Sequence, residues 1–393
     1  MWDLIEDQNP WWNGLKDPHL ERLKSLRYKM RPDWIDKISL KPFSLNFVLG
    51  PRQVGKTTGI KILISELVER GEFSVLYLNC EIFSSFKELL YSLREYQRVK
   101  ERKGVKNSYI FLDEVTSLEG WWKAVKSLVD SGTLLKDVVT VTGSSSLKVR
   151  RDLELFPGRR GEGVVVEVLP LTFPQYRRLV DPDAITGSRL LSLFREYLRT
   201  GGFLPRINGL PASDILWAYV NEVVRFGRSL EIVKEVTASL FKTAPSPVSY
   251  RALASYTSGY SYKVVQSYLE FMQDLYLIGQ AYLWEGEVKY RRERKFFFRD
   301  PMLARIFSSW SDQRFLESAI YEWVVQEHVY RRYGRVYYYR NEYEVDVVAD
   351  GLKVEVKAGK AHRRYPRGVL VLEEEDLPEF LLRLEEGEGA GDV

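Results

Sequence analysis

Cysteine is almost missing from this 393-residue chain: Cys80 stands alone, which excludes an internal disulfide framework and points to a reducing compartment. Long apolar runs are missing too. No stretch reaches 18 consecutive apolar residues, and the acidic, tryptophan-rich start MWDLIEDQNPWW reads as neither signal peptide nor anchor, so no membrane segment is expected and a cytoplasmic location is. A strong charge imbalance is also absent. The net charge of +4 is too small by itself to imply nucleic acid, so any such reading has to come from local clusters. Hydrophobic residues at 45% and charged residues at 28% give an ordinary globular balance, and the length predicts about two to four domains.

What is present is most concentrated in residues 44–71, SLNFVLGPRQVGKTTGIKILISELVERG. An apolar run (Leu45, Phe47, Val48, Leu49) breaks at Gly50, and from Lys56 onward Ile60, Leu63, Ile64, Leu67 and Val68 recur at helical spacing. The connecting segment, Gly50, Pro51, Arg52, Gln53, Val54, Gly55, Lys56, Thr57 and Thr58, has the phosphate-loop spacing G-x-x-x-x-G-K-[ST]. Its backbone N–H groups and the helix start can wrap a β-phosphate. Lys56 can reach the β- and γ-phosphates, and the Thr57 hydroxyl can complete the shell of a magnesium ion, so ATP and Mg2+ are the expected ligands.

Residues 108–115, SYIFLDEV, read as a buried strand ending in two acids at the ligand edge of a parallel sheet. In this Walker B arrangement Asp113 would hold magnesium through water, and Glu114 would orient or deprotonate the attacking water. A further strand, 138–142, ends in Thr142-Gly143-Ser144, where Thr142 or Ser144 would sense the γ-phosphate or simply cap the turn. Arg159 and Arg160 sit on the turn 156–161 before the strand 164–169. Either could neutralise phosphoryl charge in its own or a neighbouring subunit of a homo-oligomer, contact DNA, or do neither. Two other readings stay open. Trp11 and Trp12 would cover a nucleotide base or close an edge of the core, and the basic run 98–106 would be a solvated helix end or a DNA contact.

Helical sequence follows Pro174, interrupted at Gly201-Gly202, as expected of a lid over the nucleotide. Residues 248–255 and 261–275 then form a helix-turn-helix around Gly259, with Val264, Val265, Tyr268, Leu269 and Met272 as the buried stripe. Strands 279–283 and 295–298 flank a tip containing Lys289, Tyr290, Arg291, Arg292, Arg294 and Lys295, which gives a winged helix with a basic wing suited to a phosphate backbone or minor groove. Near the end, a helix over 315–330 precedes strands 336–339, 345–349 and 352–357, the last two joined by a turn at Asp350-Gly351. Asp346 and Glu355 fall on partner strands, and Lys357 faces the same side as Glu355. Two carboxylates and an ammonium there could bind magnesium and activate water against a scissile phosphate. Helical periodicity places Glu327 near the centre of the buried stripe and Glu317 at its margin.

On these residues the chain resembles the archaeal and bacterial AAA+-type ATPases whose carboxyl-terminal part is a domain of the Holliday-junction-resolvase or PD-(D/E)XK nuclease kind. The resemblance rests on GPRQVGKTT (50–58), FLDEV (111–115) with a tryptophan after it (Trp121 or Trp122), TGSSS (142–146), PGR (157–159) with LPLTF (169–173), GGF (201–203), FRDPML (298–303), and EVD with EVK. It implies a nuclease pattern of helical Glu317, then Asp346, then Glu355-x-Lys357, with Asp346 and Glu355 as metal ligands. The expected fold class is α/β and multidomain. It comprises a doubly wound parallel-sheet P-loop core (1–170), a helical lid (171–235), a winged helix (236–307) and a small restriction-endonuclease-like α/β domain (308–393). The function expected is a magnesium-dependent ATPase that binds duplex or branched DNA through Lys289, Arg291, Arg292 and Arg294 and cuts it at the last domain. The rival is a nucleotide switch that binds a protein partner, with that domain as a docking module.

Overall fold

Residues 2–144, 156–357 and 365–387 are described by the computed structural model of the protein, so Ser145 and Ser146 of the TGSSS run lie outside the described residues. The chain divides into two compact units, Met1–Leu169 and Pro170–Val393.

In the first unit, helices α1 (Trp2–Gln8) and α2 (Pro18–Lys24) precede a sheet of five strands: β1 (Ser44–Leu49), β2 (Val75–Asn79), β3 (Tyr109–Asp113), β4 (Val138–Gly143) and β5 (Val165–Glu167). Their order is β2-β3-β4-β1-β5 and every neighbouring pair is parallel. Crossover helices α3 (Lys56–Glu69), α4 (Phe86–Arg102) and α5 (Trp121–Asp130) link the strands. Each of the six residues of β1 and of β4 is buried, as apolar strands covered on both faces must be. The parallel registers bring Leu49 beside Gly143 and Asn79 beside Asp113, so the carboxyl ends of the central strands open at one edge.

Strand β2 lies at the sheet margin, and the N-terminal segment satisfies its free backbone groups. The Asn9 side chain donates to the Tyr77 carbonyl at 2.9 Å and accepts from the Tyr77 N–H at 2.7 Å. Both indole N–H groups, from Trp11 at 3.2 Å and Trp12 at 2.8 Å, donate to the Val75 carbonyl. The two tryptophans therefore close an edge of the core. In the basic run after α4's apolar side, Lys100 is buried against Asp137, whereas Arg98 stays on the surface paired with Glu95.

The second unit begins with helices α6 (Phe173–Val180), α7 (Gly187–Thr200), α8 (Leu204–Ile207), α9 (Ala212–Arg225) and α10 (Leu230–Thr243). Then come the pair α11 (Tyr250–Ala254) and α12 (Tyr262–Asp274), the hairpin β6 (Ile278–Trp284) and β7 (Val288–Phe298), and helices α13 (Pro301–Trp310) and α14 (Ser318–Tyr333). Strands β8 (Tyr337–Arg340), β9 (Glu344–Ala349), β10 (Leu352–Val356) and β11 (Leu370–Leu372) and helix α15 (Leu377–Glu386) complete it. On α12 the stripe Val265, Tyr268, Leu269 and Met272 is buried and Val264 half-buried.

The hairpin β6–β7 is not a free-standing wing. It forms the outer two strands of a six-stranded mixed sheet ordered β11-β10-β9-β8-β6-β7, with β6 parallel to β8. One core spans position 307 as well. Phe241 of α10 stacks on Phe298 of β7 at 4.8 Å and on Phe315 at 5.1 Å, and Trp323 of α14 packs against Phe298 at 5.4 Å. Asp300 fixes a further junction: its carboxylate accepts N–H bonds from Gly202 at 2.7 Å and from Met302 at 2.9 Å, tying the GGF run to the first turn of α13. Burial pushes that carboxyl up to about 6, against the pull of those N–H donors.

Candidate active site

The turn from β1 into α3 is shaped by two glycines. A Cβ on Gly50 would stand 1.9 Å from the Val168 carbonyl oxygen, so only glycine lets the loop pass there. Gly55 has φ +90°, a left-handed conformation that ends the loop and starts the helix. Lys56 is buried and its ammonium donates to the carbonyls of Gly50 and Pro51 at 2.7 Å each, which folds the side chain back over the loop.

From the helix start, Thr57 Oγ1 donates to Asp113 Oδ2 at 2.7 Å. Tyr77 donates its hydroxyl to the same oxygen at 2.8 Å, and Thr142 donates to Asp113 Oδ1. Thr142 in turn accepts the Glu114 N–H at 2.9 Å, so the tip of β4 braces both acids. Burial drives the Tyr77 hydroxyl far above its ordinary range, with the Asp113 charge acting in the same direction, so it stays a proton donor.

Glu114 has φ +52°, a strained setting for a residue with a side chain, and it aims the carboxylate back into the site. The Thr116 hydroxyl donates to it at 2.7 Å and lies 3.1 Å from the buried Ser144 hydroxyl. Burial works to raise this carboxyl, but Lys56, Thr116, Arg52 and Ser144 outweigh it and hold it below its ordinary value. Arg52 from the loop lies 3.4 Å from Glu81 and 4.0 Å from Glu114. Thr58 hydrogen-bonds with the His19 ring at 2.9 Å.

The loop residues Gly50 to Thr58 thus meet Asp113, Glu114, Thr142 and Ser144 at one sheet edge. Tyr77, Thr116 and His19 belong to the same constellation; Thr116 directly follows the FLDEV run, whereas the neighbourhoods of Tyr77 and His19 carry no motif. Only the strand register that sets Tyr77 two pairs before Asn79 and Asp113 brings its hydroxyl there. Thr57 and Asp113 offer hard oxygen ligands in contact with each other, the donor chemistry that magnesium prefers. Arg159 is turned elsewhere: it pairs with Asp130 at the end of α5 at 2.5 Å, while Arg160 is exposed. A separate cavity of about 330 Å³ lies on α3 beyond the loop, lined by Trp11, Leu15, Leu20, Ile64, Val68 and Phe73, and none of its lining residues falls within 50–58.

In the second unit the expected basic tip takes a different form. The hairpin turn is acidic, with Glu285, Gly286 and Glu287, because β7 starts at Val288 and runs through the expected loop. Register jumps from Tyr282 opposite Arg294 to Leu283 opposite Lys289, so residues 290–293 bulge out of the ladder. Arg291 and Arg292 on this bulge are exposed. Lys289 pairs with Glu287 at 2.7 Å, and Arg294 is drawn inward, donating to the Tyr250 hydroxyl at 2.7 Å over its ring. Lys295 is 2% exposed and belongs to a charge cluster around Asp346, not to a nucleic-acid surface.

That cluster gathers Asp346 of β9, Glu355 of β10 and Lys357 as the hairpin reading expected, with Lys357 paired to Glu355. Glu317 does not join them. It stands before the first turn of α14, its side chain 68% exposed and paired with Arg305 at 2.8 Å. The acid that α14 supplies is Glu322, one and a half turns further on, which shares the Lys295 ammonium with Asp346. Glu327 is buried between Arg299 at 3.0 Å and Arg331 at 2.7 Å, a structural ion cluster.

With this geometry established, the comparisons place the first unit. Residues 43–177 match the family model described as an AAA domain. This stretch carries an AAA domain. Protein MJ1544 of Methanocaldococcus jannaschii is 25% identical over 341 residues, which span 80% of this chain and 74% of that protein. A Haemophilus influenzae protein is 28% identical over 166 residues, 40% of this chain and 39% of the other. Among solved structures, the Aeropyrum pernix ORC1 protein in complex with DNA is similar at 17% identity, covering 68% of this chain and 86% of that one with a TM-score of 0.35. The ORC2 protein of the same organism, solved as ADPNP and ADP complexes, gives 12% identity, coverage of 70% and 89%, and a TM-score of 0.42. The matched stretch thus includes Gly50 to Thr58, Asp113, Glu114 and Thr142. Among the described residues no helix is long and apolar enough to cross a membrane.

Proposed function

We propose that the protein is a magnesium-dependent ATPase that binds duplex or branched DNA. One observation carries the ATPase half: Lys56, Thr57, Asp113 and Glu114, distant in sequence, converge at the carboxyl edge of the AAA domain's parallel sheet. In this reading Lys56 leaves the Gly50 and Pro51 carbonyls for the phosphate oxygens, and the loop N–H groups take the β-phosphate. Magnesium, when bound through Thr57 and Asp113, supplies charge neutralisation on the triphosphate. Glu114, held ionised, orients and deprotonates the attacking water. The DNA half is supported by the exposed pair Arg291 and Arg292 on the β6–β7 hairpin, whose Arg294 reaches Tyr250 of α11.

Release of phosphate from ATP, measured with and without magnesium and DNA, tests the first half. Binding of labelled duplex and four-way DNA across a salt series tests the second: a steep fall with salt is expected, and a flat response would replace it with the protein-partner switch. One observation favours that second reading for the carboxyl-terminal sheet, namely that its carboxylates are already engaged by a buried lysine.

A further inference from the structure

The nuclease resemblance calls for a divalent ion at Asp346 and Glu355, and the residues present do not fit one. Lys295 Nζ lies 2.7 Å from Asp346 Oδ1, 3.0 Å from Glu322 Oε1 and 3.1 Å from Glu344 Oε1. Two of the three ammonium N–H donors go to Glu322 and Asp346, and the Glu344 carboxylate adds its charge as an ion pair. The second Asp346 oxygen accepts the Val356 N–H at 3.0 Å, and Glu322 Oε1 also accepts from Gln326 at 2.9 Å. Glu355 Oε1 is held by Lys357 and by the Tyr365 hydroxyl at 2.9 Å, while its buried Oε2 has no hydrogen-bond partner among the described residues, a single open oxygen where a divalent ion needs several. Among the described residues no group of three or more His, Cys, Asp or Glu is placed to hold a metal ion.

Lys295 is fixed by backbone as well as by charge. It sits opposite Ala281 in the β6–β7 ladder and is followed by the buried Phe296, Phe297 and Phe298. A divalent ion entering the site would have to displace this buried ammonium from its carboxylate partners or leave two cations side by side, either of which costs uncompensated buried charge. The lysine also joins three elements, because its partners lie on α14 (Glu322) and β9 (Glu344, Asp346) while it stands on β7.

We propose that Lys295 is the resident cation of this cluster, standing where the resemblance places a divalent ion, so that the site takes such an ion only when Lys295 is removed. The carboxyl-terminal sheet is then a binding or docking body that cuts no DNA. This inference rests on the nuclease-like geometry of the cluster and is independent of ATP hydrolysis, which serves as a separate readout.

The test titrates the nucleotide-free full chain with Mn2+, followed by electron paramagnetic resonance, in the wild type, Asp346→Asn, Lys295→Met and the double variant. Wild type and Asp346→Asn should bind Mn2+ alike, and the wild type should leave duplex and four-way DNA intact with Mg2+ or Mn2+. Lys295→Met should gain one site at least 10-fold tighter than any in the wild type, lost again in the double variant. Wild-type Mn2+ binding that Asp346→Asn abolishes, or wild-type cutting that it abolishes, overturns the proposal, as does a folded Lys295→Met with no added site. Should Lys295→Met not fold, the comparison of wild type with Asp346→Asn decides alone. Absence of ATPase activity in the wild type would instead count against the phosphate-loop reading.

Discussion

The Thr57 hydroxyl donates to Asp113 Oδ2 at 2.7 Å, joining the first turn of α3 to the end of β3 across 56 residues of sequence. This contact sets the spacing of the pair that would share a magnesium ion, and Tyr77 and Thr142 fix the carboxylate from two other strands.

Lys56→Ala should lower ATP turnover by at least about 100-fold, the usual cost of removing one preorganised charge from a phosphoryl-transfer site. A smaller loss of thermal stability should accompany it, because the buried ammonium also holds the Gly50 and Pro51 carbonyls. Undiminished phosphate release would sink the phosphate-loop assignment.

Glu114→Gln separates binding from chemistry. Nucleotide affinity, read by calorimetry, should stay within a few-fold of wild type, while hydrolysis falls by roughly 10²–10⁴-fold with loss of the general base. An equal loss of affinity and turnover would assign Glu114 to ligand binding.

The double change Arg291→Ala with Arg292→Ala should weaken DNA binding evenly across sequences and reduce the slope of log affinity against log salt by about 2, one for each lost phosphate contact. Arg294→Ala, by contrast, should act mainly on stability, because its guanidinium is committed to Tyr250. Fluorescence anisotropy at several salt concentrations distinguishes the two.

His328 supplies a pH-dependent prediction. Burial, with Arg331 adding to it, lowers the ring to about 4 from its ordinary 6.5, and its Nε2 accepts the Phe173 N–H at 2.9 Å. Between those values the unfolded chain binds a proton that the folded chain refuses. This contribution is therefore complete above about pH 6.5 and is lost as pH falls through about 4, on the order of 3 kcal/mol in all. Asp300, whose folded value is raised to about 6, acts in the opposite sense over the same range. The measurement is accordingly a difference: melting of His328→Gln should lose less stability than wild type between pH 6.5 and 4, and parallel curves would refute the assignment.

The phosphate loop and the strands around it were legible because their signals are local: glycine spacing, apolar runs and helical periodicity all fall within one window. The acids of the second unit show where such reading stops. Asp346 and Glu355 share a hairpin and could be paired by counting along it. Glu322 depends on which turn of α14 faces β9, and the apolar stripe through Trp323 does not mark that turn for an acid. Lys295 looked like one more member of a basic run, since nothing nearby in sequence says that β7 crosses in front of β9. The wing was misplaced for a related reason: the acidic turn at 285–287 is short, and the register jump that throws out residues 290–293 comes from pairing with β6.

Asn9, Trp11 and Trp12 fill the hydrogen-bonding positions along β2 that an incoming extended peptide would use. That flank of the parallel sheet is consequently barred to strand addition, whether by an unfolded neighbour or by another copy of the chain. Self-association at that flank must be built from helix and loop surfaces, and its specificity should follow side chains rather than main-chain pairing.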